Sequence, residues 1–192
     1  MFNVKIFAVL VVLVLVLFLA VLSWSRYRKT GAPKPVEAQR NPYLGLRDMA
    51  LHASREKLGI PASETRAVWG FLMDWAIGNA TATIVAYSDG NASVYLSSGG
   101  GFLGGIGKEP IRNAAKNAVA IANASKNSAT LTTTYPMPEQ GEVIFYLLTD
   151  EGVRTARASE TELRSHQHAF SRLGDAAQAI VTAYRQDQSK PQ

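Results

Sequence analysis

The chain has 192 residues, of which 20 are Lys or Arg, 15 are Asp or Glu and none is cysteine. Without cysteine there is no disulfide, thiolate metal site, iron–sulfur cluster or cysteine nucleophile. The formal charge of +5 belongs to residues 1–40, where Lys5, Arg26, Arg28, Lys29, Lys34 and Arg40 face one acid, Glu37. Residues 41–192 then carry fourteen charges of each sign. A neutral domain offers no electrostatic footprint to a phosphate backbone, so nucleic acid is not an expected partner.

After a short tail (1–5), Ile6 to Leu22 reads IFAVLVVLVLVLFLAVL, with no polar residue. Taken to Trp24, this run would make a helix of about 28 Å, close to the ~30 Å hydrocarbon core of a bilayer. A transmembrane helix is expected over 6–24. Trp24 and Tyr27 fall where an aromatic belt would lie, and Arg26, Arg28 and Lys29 complete an expected membrane interface. A cleaved signal peptide is the competing reading. Its apolar region is usually shorter, and the one small-x-small site, Ser23-Trp24-Ser25, runs straight into arginine. By the positive-inside rule, the basic residues after the span favour the cytoplasmic face for the C-terminal domain. Residues 25–42 form a basic juxtamembrane segment and a linker containing Pro33, Pro35 and Pro42.

A single domain is expected over 43–186, with a disordered tail at 187–192. Leu46, Met49, Ala50 and Ala53 repeat at helical spacing, and Gly59 follows as a stop. A second helix is expected from Pro61–Ser63 to Gly78-Asn79, with Val68, Leu72 and Trp75 as its stripe and Trp69, Phe71 and Met73 widening it. TATIVAYS (81–88) and ASVYLSS (92–98), joined by Asp89-Gly90-Asn91, read as a hairpin. A glycine-rich stretch, Gly99 to Lys108, leads into a helix over 109–125 with an alanine-rich face. Strands follow at 129–135, 142–149 and 153–158. Ser159 with Glu162 makes a capping box, opening a long helix striped by Leu163, Phe170, Leu173, Ala177, Ile180 and Tyr184.

This gives an α+β class: a roughly five-stranded antiparallel sheet with helices packed on it, in the order α-α-β-β-α-β-β-β-α. From residue 62 to 185 that order resembles roadblock/LC7 domains and their profilin-like relatives, which have a helix, two strands, a helix, three strands and a final helix. SSGGGFLGG and FYLLTDEG also resemble segments of uncharacterised bacterial membrane-anchored proteins, a resemblance that implies a bacterial inner membrane as the location. The roadblock resemblance implies a homodimer and a protein partner such as a small GTPase or an assembly component.

The glycine stretch contains G-x-G-x-x-G (Gly99, Gly101, Gly104), but no acid lies between Glu109 and Glu139, and the preceding strands read as a hairpin. The dinucleotide fingerprint therefore fails. A Walker loop fails too, because Phe102 stands where glycine is needed and Glu109 where Ser or Thr is needed. Gly104, Gly105, Lys108 and Arg112 could contact an anion or lipid headgroup. Phe102, Leu103 and Ile106 form the alternative, an apolar loop tip for a protein partner, with Trp69 and Trp75 as further interface aromatics. His166 and His168 are two apart on an expected helix and point apart, so no metal site assembles. No nucleophile, base and oxyanion donor come together. The expectation is a non-enzymatic membrane-anchored scaffold without cofactor. A tethered small-ligand or headgroup sensor and a component of an envelope or secretion complex are the alternatives.

Overall fold

The run VWGFLMDWAI decides the architecture. It has one charge and no two-residue alternation, which is the pattern of a strand covered on both faces. In the computed structural model, which describes residues 41–61 and 67–189, it is strand β1 (Val68–Ile77), at the centre of a seven-stranded sheet. The helix expected over 61–78 is therefore corrected. Val68, Leu72 and Trp75 do fall at helical spacing, but Trp69, Phe71 and Met73 between them are apolar as well, and all of these but the half-buried Trp75 are buried. Gly78 does not stop a helix. With φ of 56° it opens the tight turn to β2 (Ala80–Tyr87), in which Ile77 pairs with Ala80. Glycine at the first central position is what a two-residue type II′ turn requires.

The chain then runs antiparallel through β3 (Ala92–Leu96) and a two-residue β4 (Gly101–Phe102). Helix α2 (Glu109–Ser125) crosses to β5 (Thr130–Thr132), β6 (Glu142–Thr149) and β7 (Gly152–Ser159). The sheet order is β4-β3-β2-β1-β6-β7-β5, with every neighbouring pair antiparallel. The domain is α+β. The five expected strands are joined by β1 and β4, which makes seven. Because β1 replaces a helix, the element order that resembled roadblock domains is not reproduced at its first position.

Each face of the sheet has its own cover. Phe71, Met73, Ile84, Val94, Phe145 and Leu147 meet α2 and α4 (Ser171–Gln188). On α2 the contact face is Ile111, Ala115, Ala118 and Ala122, all fully buried, and the alanines let the helix lie close to the strands. Leu72, Val85, Ile144, Tyr146 and Leu148 form the second core, under Ala50, Leu51 and Ile60. Ala50 and Leu51 belong to α1 (Tyr43–Leu51), which ends well before the expected stop at Gly59.

A register shift between Val68 and Gly70 exchanges faces at the start of β1. It places Val68 with Phe71 in one core and Trp69 with Leu72 in the other. The capping box is present, with the Ser159 N–H donating to Glu162 Oε2 at 2.9 Å and the Glu162 N–H donating to Ser159 Oγ at 3.2 Å. The helix it opens, α3 (Glu160–Arg164), is short, however, and the expected long helix is broken before α4. The break comes at His166, whose φ of 55° turns the chain out of the helix. Helix α4 continues to Gln188, so the first residues of the expected disordered tail are helical. The expected membrane span and Trp24, Arg26, Tyr27, Arg28 and Lys29 lie outside the described residues. Among the described residues, no helix is long and apolar enough to cross a membrane.

Candidate functional site at the glycine-rich edge

Beyond β3 the chain makes a glycine turn that could not be built with side chains. Gly99, Gly100 and Gly101 have φ of 99°, 81° and 145°. A Cβ on Gly101 would lie 2.1 Å from the Val94 carbonyl oxygen. These glycines let β4 come back alongside β3, pairing Val94 with Phe102.

Phe102 then turns inward. Its ring stacks on Tyr184 of α4, with centroids 4.9 Å apart and planes 10° from parallel, and it packs against the larger core. This corrects the expectation that Phe102 belongs to an exposed tip. A glycine-flanked aromatic gains more by covering Tyr184 than by standing in water.

The rest of the loop is pinned. The Tyr184 hydroxyl donates to the Ala92 carbonyl at 2.6 Å, and the Gly105 N–H donates to the same oxygen at 3.2 Å. A Cβ on Gly105 would sit 2.2 Å from Ile111 Cγ2 and 2.7 Å from Tyr184 Oη, so only glycine fits. The Lys108 N–H donates to the Gly105 carbonyl at 3.0 Å, closing the turn into α2. Between these fixed points Leu103 and Ile106 stand out, 65% and 45% exposed.

The residues expected to contact an anion have internal partners. Lys108 Nζ lies 3.4 Å from Asp187 Oδ2, and Arg112 Nη1 donates to the Ile106 carbonyl at 3.0 Å. The Gly104 N–H donates to Ser93 Oγ at 3.4 Å. Trp69 lies in the smaller core, stacked on Tyr87 with centroids 6.1 Å apart. Trp75 is half-buried against the larger core. The two tryptophans are thus on opposite faces and do not join the loop tip.

Sequence reasoning missed a buried polar cluster on the α1 side. Arg47 and Asp74 are both buried, with Arg47 Nε donating to Asp74 Oδ2 at 2.8 Å. The Thr83 hydroxyl donates to Asp74 Oδ1 at 2.5 Å and lies 2.8 Å from the Tyr43 hydroxyl. Arg47 also donates to the carbonyls of Tyr135 and Pro136, each at 3.1 Å. Burial pushes the Asp74 carboxyl up from its ordinary value, against the pull of Arg47 and Thr83. With both carboxylate oxygens engaged and Asp74 wholly enclosed, the cluster is a clasp between α1 and the sheet. A lone Asp inside an apolar run was the available signal, since a buried carboxylate demands a cation. Among the described residues, no group of three or more His, Asp or Glu is placed to hold a metal ion. No protein-family model, curated protein or solved structure matches this chain.

Proposed function

We propose that this chain is a non-enzymatic, single-pass membrane-anchored scaffold that recruits a protein partner at the cytoplasmic face through the tip of its glycine loop. One observation carries it: Leu103 and Ile106 remain in water on a loop whose two ends are locked. The hydrogen bond from Gly105 to Ala92 and the stacking of Phe102 on Tyr184 leave the loop no slack to fold these side chains inward. Burying each of them against a partner is worth about 1.5–3 kcal/mol. The apolar run at 6–22 supplies the tether. The roadblock resemblance contributes only the suggestion of a small GTPase-like partner or a second copy of the chain.

The test is photo-crosslinking of the full-length protein in its membrane, with the reactive residue at 103, at 106, or at 131. Leu131 is a suitable control because it is 58% exposed at the opposite edge of the sheet. A discrete adduct from 103 and 106, absent from 131, is expected, and its mass separates a second copy from another protein. Equal labelling from all three positions, or none, would remove the proposal.

A further inference from the structure

We propose that the cleft between the ends of β1 and β6 and the α3–α4 junction binds a small amphipathic molecule, with an apolar body and a carbonyl or carboxylate oxygen. The cleft holds about 340 Å³, at the small end of ligand sites. Met73 and Val143 form its floor, each 2% exposed, with Leu163 and the Trp75 ring beside them. Its rim is polar. His166 Nδ1 lies 3.7 Å from Asp175 Oδ2, and Arg164 pairs with Glu160.

Three residues of this cleft are poor choices for stability, and no neighbour requires any of them. Gly174 lies within α4, where a methyl group would meet Leu163 Cδ1 at 3.8 Å and Phe145 Cζ at 4.0 Å. Those are ordinary contacts, so alanine fits and would favour the helix. His166 is the one non-glycine residue with positive φ among the described residues. It occupies the left-handed position that ends α3: its N–H donates to the Leu163 carbonyl, and the Gln167 N–H donates to the Glu162 carbonyl, each at 3.1 Å. Glycine takes that position without strain. Trp75 Nε1 is buried with no acceptor, whereas phenylalanine would cover the same floor without an orphaned donor.

Stability surrendered at three positions around one cavity marks a site kept for something other than folding. Each concession has a use there. The glycine keeps the α4 wall open, the imidazole stands at the mouth beside Asp175, and the indole N–H, buried without a partner, is a donor that a turn of the ring would open to the cleft. The floor takes the apolar body and the donor takes the oxygen, which defines the guest. Because Nε1 is closed to water, a guest reaches it only with a small shift of the ring, so Trp75 reports binding. The site is independent of the loop tip. Gly174 and Tyr184 are ten residues apart in α4, about 15 Å along the helix.

The experiment uses the full-length chain in lipid nanodiscs, labelled with fluorotryptophan, so that its three tryptophans give separate fluorine NMR signals. Trp75→Phe assigns the signal, and benzoate and acetophenone are the probes, each raised to millimolar concentration. A saturable shift of the Trp75 signal alone is expected, weakened by an order of magnitude in Gly174→Leu. A stronger response to benzoate assigns a carboxylate guest, and a stronger response to acetophenone a neutral carbonyl. Without a probe, Gly174→Ala and His166→Gly should each raise Tm by roughly 2–4 °C, while both weaken the response; these two variants carry the test if Gly174→Leu does not fold. The proposal is overturned if neither probe moves the Trp75 signal, if Gly174→Leu or Gly174→Ala binds unchanged, or if both stabilising variants lower Tm.

Discussion

Arg47 reaches Asp74 Oδ2 with two nitrogens, Nε at 2.8 Å and Nη2 at 2.6 Å, and Asp74 is wholly enclosed. This pair joins the first described helix to the central strand. The clasp therefore fixes α1 to the body of the sheet.

Removing one partner strands the other. Arg47→Ala is expected to cost about 3–5 kcal/mol, because it leaves a buried carboxylate with only Thr83. Replacing both, as Arg47→Met with Asp74→Leu, should restore most of the loss, since the pair contributes little beyond what well-packed apolar groups would. Urea unfolding of the single and double variants checks this, and a double variant as weak as the single would mean that the pair itself stabilises the fold.

Glycines of the same loop should respond oppositely. Gly105→Ala puts a methyl group into Ile111 and Tyr184 and should cost about 1–3 kcal/mol. Gly107 has open space around it and no positive φ, so Gly107→Ala should be neutral or stabilise by about 0.4–1 kcal/mol. Chemical denaturation midpoints measure both, and equal losses would mean that the loop is not seated on Ile111.

The same contrast separates Phe102 from Leu103. Phe102→Ala loses the stack on Tyr184 and should cost about 2–3 kcal/mol, somewhat less than for a fully enclosed ring. Leu103→Asp changes an exposed side chain and should stay within about 0.5 kcal/mol. Thermal melts of the two variants decide it; comparable losses would place Leu103 inside the fold.

These contrasts follow the line between what the residues announced and what they concealed. The β2–β3 hairpin was legible because Asp89-Gly90 lies between two β-branched runs, and the Ser159 capping box because its spacing has one structural meaning. β1 was not legible: a strand buried on both faces has no period, and its apolar residues satisfied a helical template by chance. Nor could the sequence place Trp69, because the register shift before Gly70 moved it to the other core. Of the expected loop tip, Leu103 and Ile106 stand exposed while Phe102 turns inward, since nothing local reveals that Tyr184, 82 positions after Phe102, comes to lie against it. Arg47 and Asp74 belong to segments both read as helices, so their meeting was invisible until one became a strand.

Tyrosine burial gives the last prediction. Burial pushes the Tyr146 and Tyr184 hydroxyls up from 10.0 to about 12, and raises those of Tyr43, Tyr87 and Tyr95 as well. Tyr146 and Tyr184 are also tied as donors to the carbonyls of Pro136, at 2.8 Å, and Ala92, at 2.6 Å. A group whose folded pKa lies above its unfolded value keeps a proton that the unfolded chain gives up. Its contribution is therefore complete below pH 10 and is lost as pH rises from 10 towards 12. Unfolding free energy should fall across that window and become steeper as more of the five tyrosines ionise in the unfolded chain. Tyr184→Phe should flatten the decline, and it should also lower stability at neutral pH by about 1 kcal/mol, because the Ala92 carbonyl loses a donor. Urea midpoints from pH 8 to 12 measure both effects; a decline that begins well below pH 10, or one unchanged in Tyr184→Phe, would show that other groups govern alkaline unfolding.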